Sequence, residues 1–160
     1  MSLKVPALDP ASLTPRTSSG YPEPYRSRVL PREKRALADA LGLKTIGINL
    51  TTLPPGKESS MRHWHSHEEE FVYVLSGEVV LITDAGEQVL TAGTCAGFPL
   101  AADVKKGDGH QLVNRGSVPV VYLEVSNRDP RDQGYYSDVD LHFHGANAPV
   151  RFTRKDGTGF

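Results

Sequence analysis

This sequence predicts an all-β fold, an antiparallel sandwich or barrel of short strands, and three observations predict it. Short runs rich in Val, Ile, Leu and aromatic residues recur at 45–53, 62–65, 70–75, 78–83, 87–90, 95–98, 111–114 and 120–126. Turn formers separate them: Pro54-Pro55-Gly56, Ser76-Gly77, Asp84-Ala85-Gly86, Ala92-Gly93 and Arg115-Gly116-Ser117. Only one stretch, 31–41, reads as a helix. Pro31 suits its first turn, Leu30, Lys34, Leu37 and Leu41 share a face, and Gly42 is a natural stop. Many short strands at this spacing and one helix describe a sandwich or barrel. Two further strands are expected in the tail, at 139–144 and 150–154.

The 160 residues suit one domain. It divides into an arm and short helix at 1–42, a barrel core at 43–127, and C-terminal strands and tail at 128–160. Residues 1–28 hold five of the twelve prolines and read as an extended arm with little structure of its own. The formal net charge of −1 sets up no field for nucleic acid or an anionic membrane, so neither is an expected partner. Lys105 and Lys106, and Arg151 with Arg154 and Lys155, read as solvated loops. Cys95 is the single cysteine, which excludes an intrachain disulfide and a four-Cys zinc site. It reads as a small buried residue. The first residues show no apolar run like a signal peptide, and no run approaches the roughly 20 apolar residues of a membrane span. The expected location is the cytoplasm.

The informative segment is Arg62-His63-Trp64-His65-Ser66-His67-Glu68-Glu69-Glu70. On a strand, residues two apart point the same way, so His63 and His65 present both imidazoles on one face. Arg62 and Trp64 then point away from it. A turn at 66–69 lets Glu70 return on an adjacent strand and meet the two rings. Imidazole nitrogen and carboxylate oxygen suit a divalent transition metal such as Zn, Fe, Mn or Ni. His110, at the head of a later strand, is the best candidate for a fourth ligand.

The segment resembles the first motif of the cupin superfamily, Gly-x5-His-x-His-x3–4-Glu-x6-Gly. Here His63-x-His65-x4-Glu70-x6-Gly77 matches, and Gly56 stands one residue too far upstream. The second motif, Gly-x5-Pro-x-Gly-x2-His-x3-Asn, is matched at its ends by Gly93-x5-Pro99 and His110-x3-Asn114. Ala101 replaces its middle Gly, and Leu100 to Gly109 is ten residues where the motif has four. Gly97-Phe98-Pro99, the Tyr136-to-Leu141 stretch and Lys155-Asp156-Gly157 resemble a group of small bacterial cupins. The resemblance covers about residues 43–127. It implies a double-stranded β-helix, a jelly-roll barrel whose mouth holds one divalent metal on His63, His65, Glu70 and His110. About two octahedral positions would remain for water, substrate or dioxygen. Small cupins commonly pair, so a two-fold homodimer is expected, with the arm or the Trp64 strand near its interface.

His67 could replace His65 in a slipped arrangement, but only His63 and His65 keep the motif's spacing to Glu70. Glu68 and Glu69 read as turn residues, either of which could hydrogen-bond a ligand histidine. The alternation Asp138-x-Asp140-x-His142-x-His144 offers a possible second metal site, against the more ordinary reading of a half-buried strand with a polar face. Two functions stay open. The first is a metal-dependent enzyme acting on a small polar or carbonyl-containing molecule, with an oxygenase, isomerase or lyase all compatible. The other is a non-catalytic module that binds or senses a small molecule. No catalytic triad or nucleotide-binding glycine loop is present to suggest a hydrolase or kinase. Which residue would move protons is not evident, although Asn49 and Gln111 sit on barrel strands.

Overall fold

The computed structural model describes residues 3–101, 103, 106–149 and 151–160. Lys105, and Val150 at the head of the expected strand 150–154, lie outside the described residues. In chain order the elements are α1 (Tyr25–Val29), β1 (Glu33–Ala36), α2 (Leu37–Ala40), β2 (Ile46–Leu53), β3 (His63–His65), β4 (Glu70–Ser76), β5 (Glu78–Thr83), β6 (Gly86–Thr91), β7 (Cys95–Phe98), β8 (His110–Val113), β9 (Val120–Asn127), β10 (Gly134–Tyr136), β11 (His142–Phe143) and β12 (Phe152–Thr153). The eight strands expected between 45 and 126 are β2 to β9, with ends within about a residue of expectation, the usual scatter of such boundaries.

The strands form two antiparallel sheets, one five-stranded in the order β1-β2-β9-β4-β7 and one seven-stranded in the order β12-β11-β10-β3-β8-β5-β6. They face each other over one core. Leu53, Val72, Val74, Val120 and Tyr122 come from the first sheet and Val79, Leu81, Leu90 and Leu112 from the second. Burying each such side chain stabilises the fold by about 1.5–3 kcal/mol. This is the jelly-roll barrel the resemblance implied. Asn114 closes its lower end: its amide donates to Leu53 O at 2.8 Å and Val118 O at 2.9 Å and accepts from Gly116 N at 3.0 Å. No described helix is long and apolar enough to cross a membrane.

The segment 31–41 departs from expectation. It is not one helix but strand β1 followed by the single turn α2. Lys34 pairs with Thr51 of β2 on one side. On its other side it exchanges backbone hydrogen bonds with Arg16 of the arm, at 2.8 and 3.0 Å. Extended backbone there is hydrogen-bonded on both edges, which outweighs a helical periodicity carried by only three leucines. Helix α1 was not anticipated. The sheets also reach past the 43–127 core, through β1 on one side and β10 to β12 on the other. Of the expected strand 139–144, only His142–Phe143 is extended.

The N-terminal arm lies on its own barrel. Tyr21 and Val29 enter a second buried cluster with Met61, Tyr136 and Leu141, and Phe152 packs against it. Cys95, expected to be buried, is exposed on β7, an edge strand.

Candidate metal centre

Strand β3 sits between β8 and β10, with His63 opposite His110 on one side and Tyr136 on the other. Alternation turns His63 and His65 into the barrel. Trp64 turns out onto Tyr135, the rings stacking at 5.7 Å, and Arg62 turns out to pair with Asp84 and Asp138. Glu70 arrives from the facing sheet, at the start of β4 between Phe98 of β7 and Ser126 of β9. Residues 106–109, just before β8, run close against their neighbours as His110 comes into register with His63. Gly107 and Gly109 let them do so, because a Cβ on Gly109 would lie 2.0 Å from Ser137 Oγ and one on Gly107 2.0 Å from the Trp64 ring.

The structure therefore brings His63, His65, Glu70 and His110 together, three imidazoles from one sheet and a carboxylate from the other. Glu70 Oε2 lies 2.7 Å from His110 Nε2, 3.5 Å from His65 Nε2 and 3.9 Å from His63 Nε2. Ligands at about 2.1 Å around an octahedral ion stand about 3 Å apart, so these spacings fit a shared ion. Outer contacts leave the Nε2 atoms of His63 and His65 to face inward. His63 Nδ1 donates to Met61 O at 2.9 Å, and His65 Nδ1 donates to Asp132 Oδ2 at 2.6 Å. A carboxylate behind a metal-ligating imidazole fixes its tautomer and raises its basicity. His110 is held by face-to-face stacking on Phe98 at 3.7 Å.

The electrostatics follow from burial and crowding. Burial, with His65 and His110 alongside, pushes the His63 imidazole down to about 3. Burial acts against His65 as well, yet the Asp132 hydrogen bond and the surrounding carboxylates outweigh it and lift that ring to about 9. Glu70 would be raised by burial, but the hydrogen bond with His110 and the three imidazoles hold it well below the usual carboxylate range. A carboxylate kept ionised and faced by three imidazole Nε2 atoms is a donor set for a divalent ion once those nitrogens are deprotonated.

His67 is not among the converging donors; its N–H donates to Asp132 Oδ1 at 2.9 Å and its ring contacts Ser66 Oγ. Glu68 and Glu69 do not hydrogen-bond a histidine ring; Glu68 accepts from Asp129 N at 3.2 Å. The group behind His65 is Asp132, which is buried and also accepts from Ser66 N at 3.0 Å. It lies 67 residues from His65, with no local signal to announce it. The residues Asp138, Asp140, His142 and His144 do not converge as a set: Asp138 faces Arg62, Asp140 accepts from Lys155 N, and the two histidines, whose rings meet edge-on at 4.5 Å, turn to Gln133 and Thr153. Gln111, on β8, is taken up by Glu58 at 2.8 Å.

Beside the cluster opens a cavity of about 400 Å³, a size that suits a small molecule. Its far wall carries side chains the sequence did not connect with a site: Lys34 and Glu124, paired at 2.6 Å, with Arg32, Tyr122 and, from the arm, Arg16 and Tyr21. Glu124 is the one charge in β9 and alternates with apolar neighbours, a visible anomaly whose inward direction only the sheet pairing reveals.

The cupin domain family matches residues 49–126. A crystal structure of a sugar phosphate isomerase of the cupin superfamily from Silicibacter pomeroyi superposes with a TM-score of 0.89 at 40% identity, covering 97% of this chain and 96% of that one. Oxalate decarboxylase of Bacillus subtilis is 30% identical over 83% of this chain, which spans 35% of the decarboxylase. The tetracenomycin polyketide synthase protein TcmJ of Streptomyces glaucescens is 32% identical over 62% of each chain. Barrel, motif residues and relatives agree: this chain belongs to the cupin family.

Proposed function

We propose that the chain binds one divalent transition metal through His63, His65, Glu70 and His110 and isomerises a small polyhydroxylated carbonyl compound in the adjoining cavity. The observation that carries this reading is the pairing of two chemistries across one cavity, the converging donors of His63, Glu70 and His110 with His65 Nε2 3.5 Å from the same carboxylate on one wall, and the Lys34–Glu124 pair on the other. A bound divalent ion would polarise a carbonyl or hydroxyl oxygen.

The chain's own residues supply the rest. Aldose–ketose interconversion moves one proton between adjacent carbons and one between their oxygens, and it needs no oxidant. Glu124 is the carboxylate placed to take a proton, and Lys34 holds it in position through the 2.6 Å bond. Burial lowers the Lys34 ammonium from its ordinary value, against the pull of Glu124, which brings it nearer to use as a proton donor. Tyr122, buried beside Glu124, is pushed well above its ordinary value by burial and stays a neutral phenol. The similarity to a sugar phosphate isomerase over nearly the whole chain supports an isomerase over an oxygenase or lyase.

The test is elemental analysis of the purified full chain, followed by an aldose–ketose assay on phosphorylated pentoses and hexoses. About one metal per chain and turnover abolished by Glu124→Gln are expected. A chain that takes up neither zinc, manganese nor iron would overturn the metal assignment. Stoichiometric metal with tight sugar binding and no turnover would favour the non-catalytic module.

A further inference from the structure

The cavity holds a cation that the proposed isomerase chemistry does not use. Arg32 precedes β1 by one residue and lines the cavity with 8% of its surface exposed. It makes no side-chain hydrogen bond or ion pair among the described residues, and its Nε and Nη1 are buried without an acceptor. A buried guanidinium ordinarily brings a carboxylate with it, because an unpaired buried charge is costly.

The carboxylates around the cavity are all engaged elsewhere. Glu124 faces Lys34, Glu70 faces the imidazoles, Asp132 holds His65, Asp129 is bound by Arg131, and Glu68 caps the Asp129 backbone. Arg16, on the arm, is a second lining cation that forms no ion pair among the described residues. The hydroxyls of Ser59 and Ser60 border the same space.

We propose that Arg32, with Arg16 beside it, is the subsite for an oxyanion carried by the substrate. The guanidinium fork matches two oxygens of a phosphate monoester or a carboxylate at once. The ligand's anion supplies the counter-charge that the fold withholds. The site would also orient the substrate: with its anion on Arg32, the carbonyl end is left for the histidine cluster and the Lys34–Glu124 pair. This inference rests on the proposed isomerase only for the identity of the substrate, not for the existence of the anion site.

The experiment is calorimetric titration of the purified full chain with inorganic phosphate and, separately, with acetate, at constant ionic strength and with metal content measured for every sample. Phosphate binding is expected in the wild type and at least about tenfold weaker in Arg32→Met, the scale of losing charge-assisted hydrogen bonds. Metal content should not change. The melting temperature of ligand-free Arg32→Met should hold or rise, because an unpaired buried cation has been removed; a fall would mark Arg32 as structural and overturn the proposal. Arg32→Lys keeps the charge without the fork and should bind phosphate with intermediate affinity; it carries the test if the Met variant does not fold.

Acetate bound in place of phosphate would keep the oxyanion site and assign it to a carboxylate. Binding of neither ion, or binding unchanged by both Arg32 variants, would overturn it. In His63→Ala/His65→Ala, phosphate should still bind; its loss there would place the anion on the metal and refute the Arg32 site. Retained metal in that double variant would instead sink the metal assignment and leave the oxyanion site standing.

Discussion

Replacing Asp132 by Asn should weaken metal binding far more than it weakens the fold. Asp132 Oδ1 accepts from Ser66 N at 3.0 Å and His67 N at 2.9 Å, and its Oδ2 accepts from His65 Nδ1 at 2.6 Å. An Asn side chain must keep its oxygen toward the two backbone N–H groups, which turns its NH₂ toward His65 Nδ1. Two donors then face each other, and relief comes when His65 moves its proton to Nε2, the atom that faces Glu70. The ring is thereby held in the tautomer that cannot ligate. Loss of such an orienting carboxylate costs about 10–100-fold in metal affinity, or about 1.4–2.7 kcal/mol. Asp132→Ala differs, because it also strands two backbone donors at about 1–3 kcal/mol each and should lower the melting temperature clearly. Competition against a chromophoric zinc chelator, with thermal melting of the same samples, separates the two effects. An Asn variant that holds zinc as tightly as the wild type would refute both the tautomer argument and the place of His65 in the site.

The double change His63→Ala/His65→Ala should abolish stoichiometric metal while leaving a folded barrel, since neither histidine belongs to the core around Leu53, Val74, Val79 and Val120; elemental analysis and circular dichroism check this, and His67→Ala should change little. Gly109→Ala should destabilise by about 1–3 kcal/mol and displace His110, because its Cβ would meet Ser137 Oγ at 2.0 Å; adding Ser137→Ala should restore much of the melting temperature and the metal affinity together. Metal affinity should rise with pH. His65, lifted to about 9, carries a proton at neutral pH that the metal must displace, whereas His63, at about 3, carries none. One competing proton implies about a tenfold gain per unit between about pH 7 and 8.5, and a flat chelator titration there would contradict it. Light scattering at micromolar concentration tests the expected homodimer, and a monomeric mass would end that expectation.

Much of this protein is decided locally, and what is local can be seen in the chain. Strands β2 to β9 lie where alternating apolar residues and Gly or Pro turns put them, because a pleated strand sorts its own side chains by parity. The same parity aims His63 and His65 together and sends Trp64 outward, with no knowledge of the rest of the fold. Segment 31–41 shows the limit. Its leucines suggest a helix, while the hydrogen bonds that make it a strand come from β2 and from Arg16, outside the segment. Strand β10 and Asp132 escape for the same reason, for their partners lie on β3, about 70 residues earlier in the chain. The far wall of the cavity is the fullest case. Arg32, Lys34 and Glu124 look like ordinary surface charges until the pairing of β1, β2 and β9 turns them inward, and the arm closes over them with Arg16 and Tyr21. The donor residues were legible because two strands and a turn place most of them. The wall they face was not, because burial of a charge belongs to the assembled barrel rather than to any short stretch of sequence.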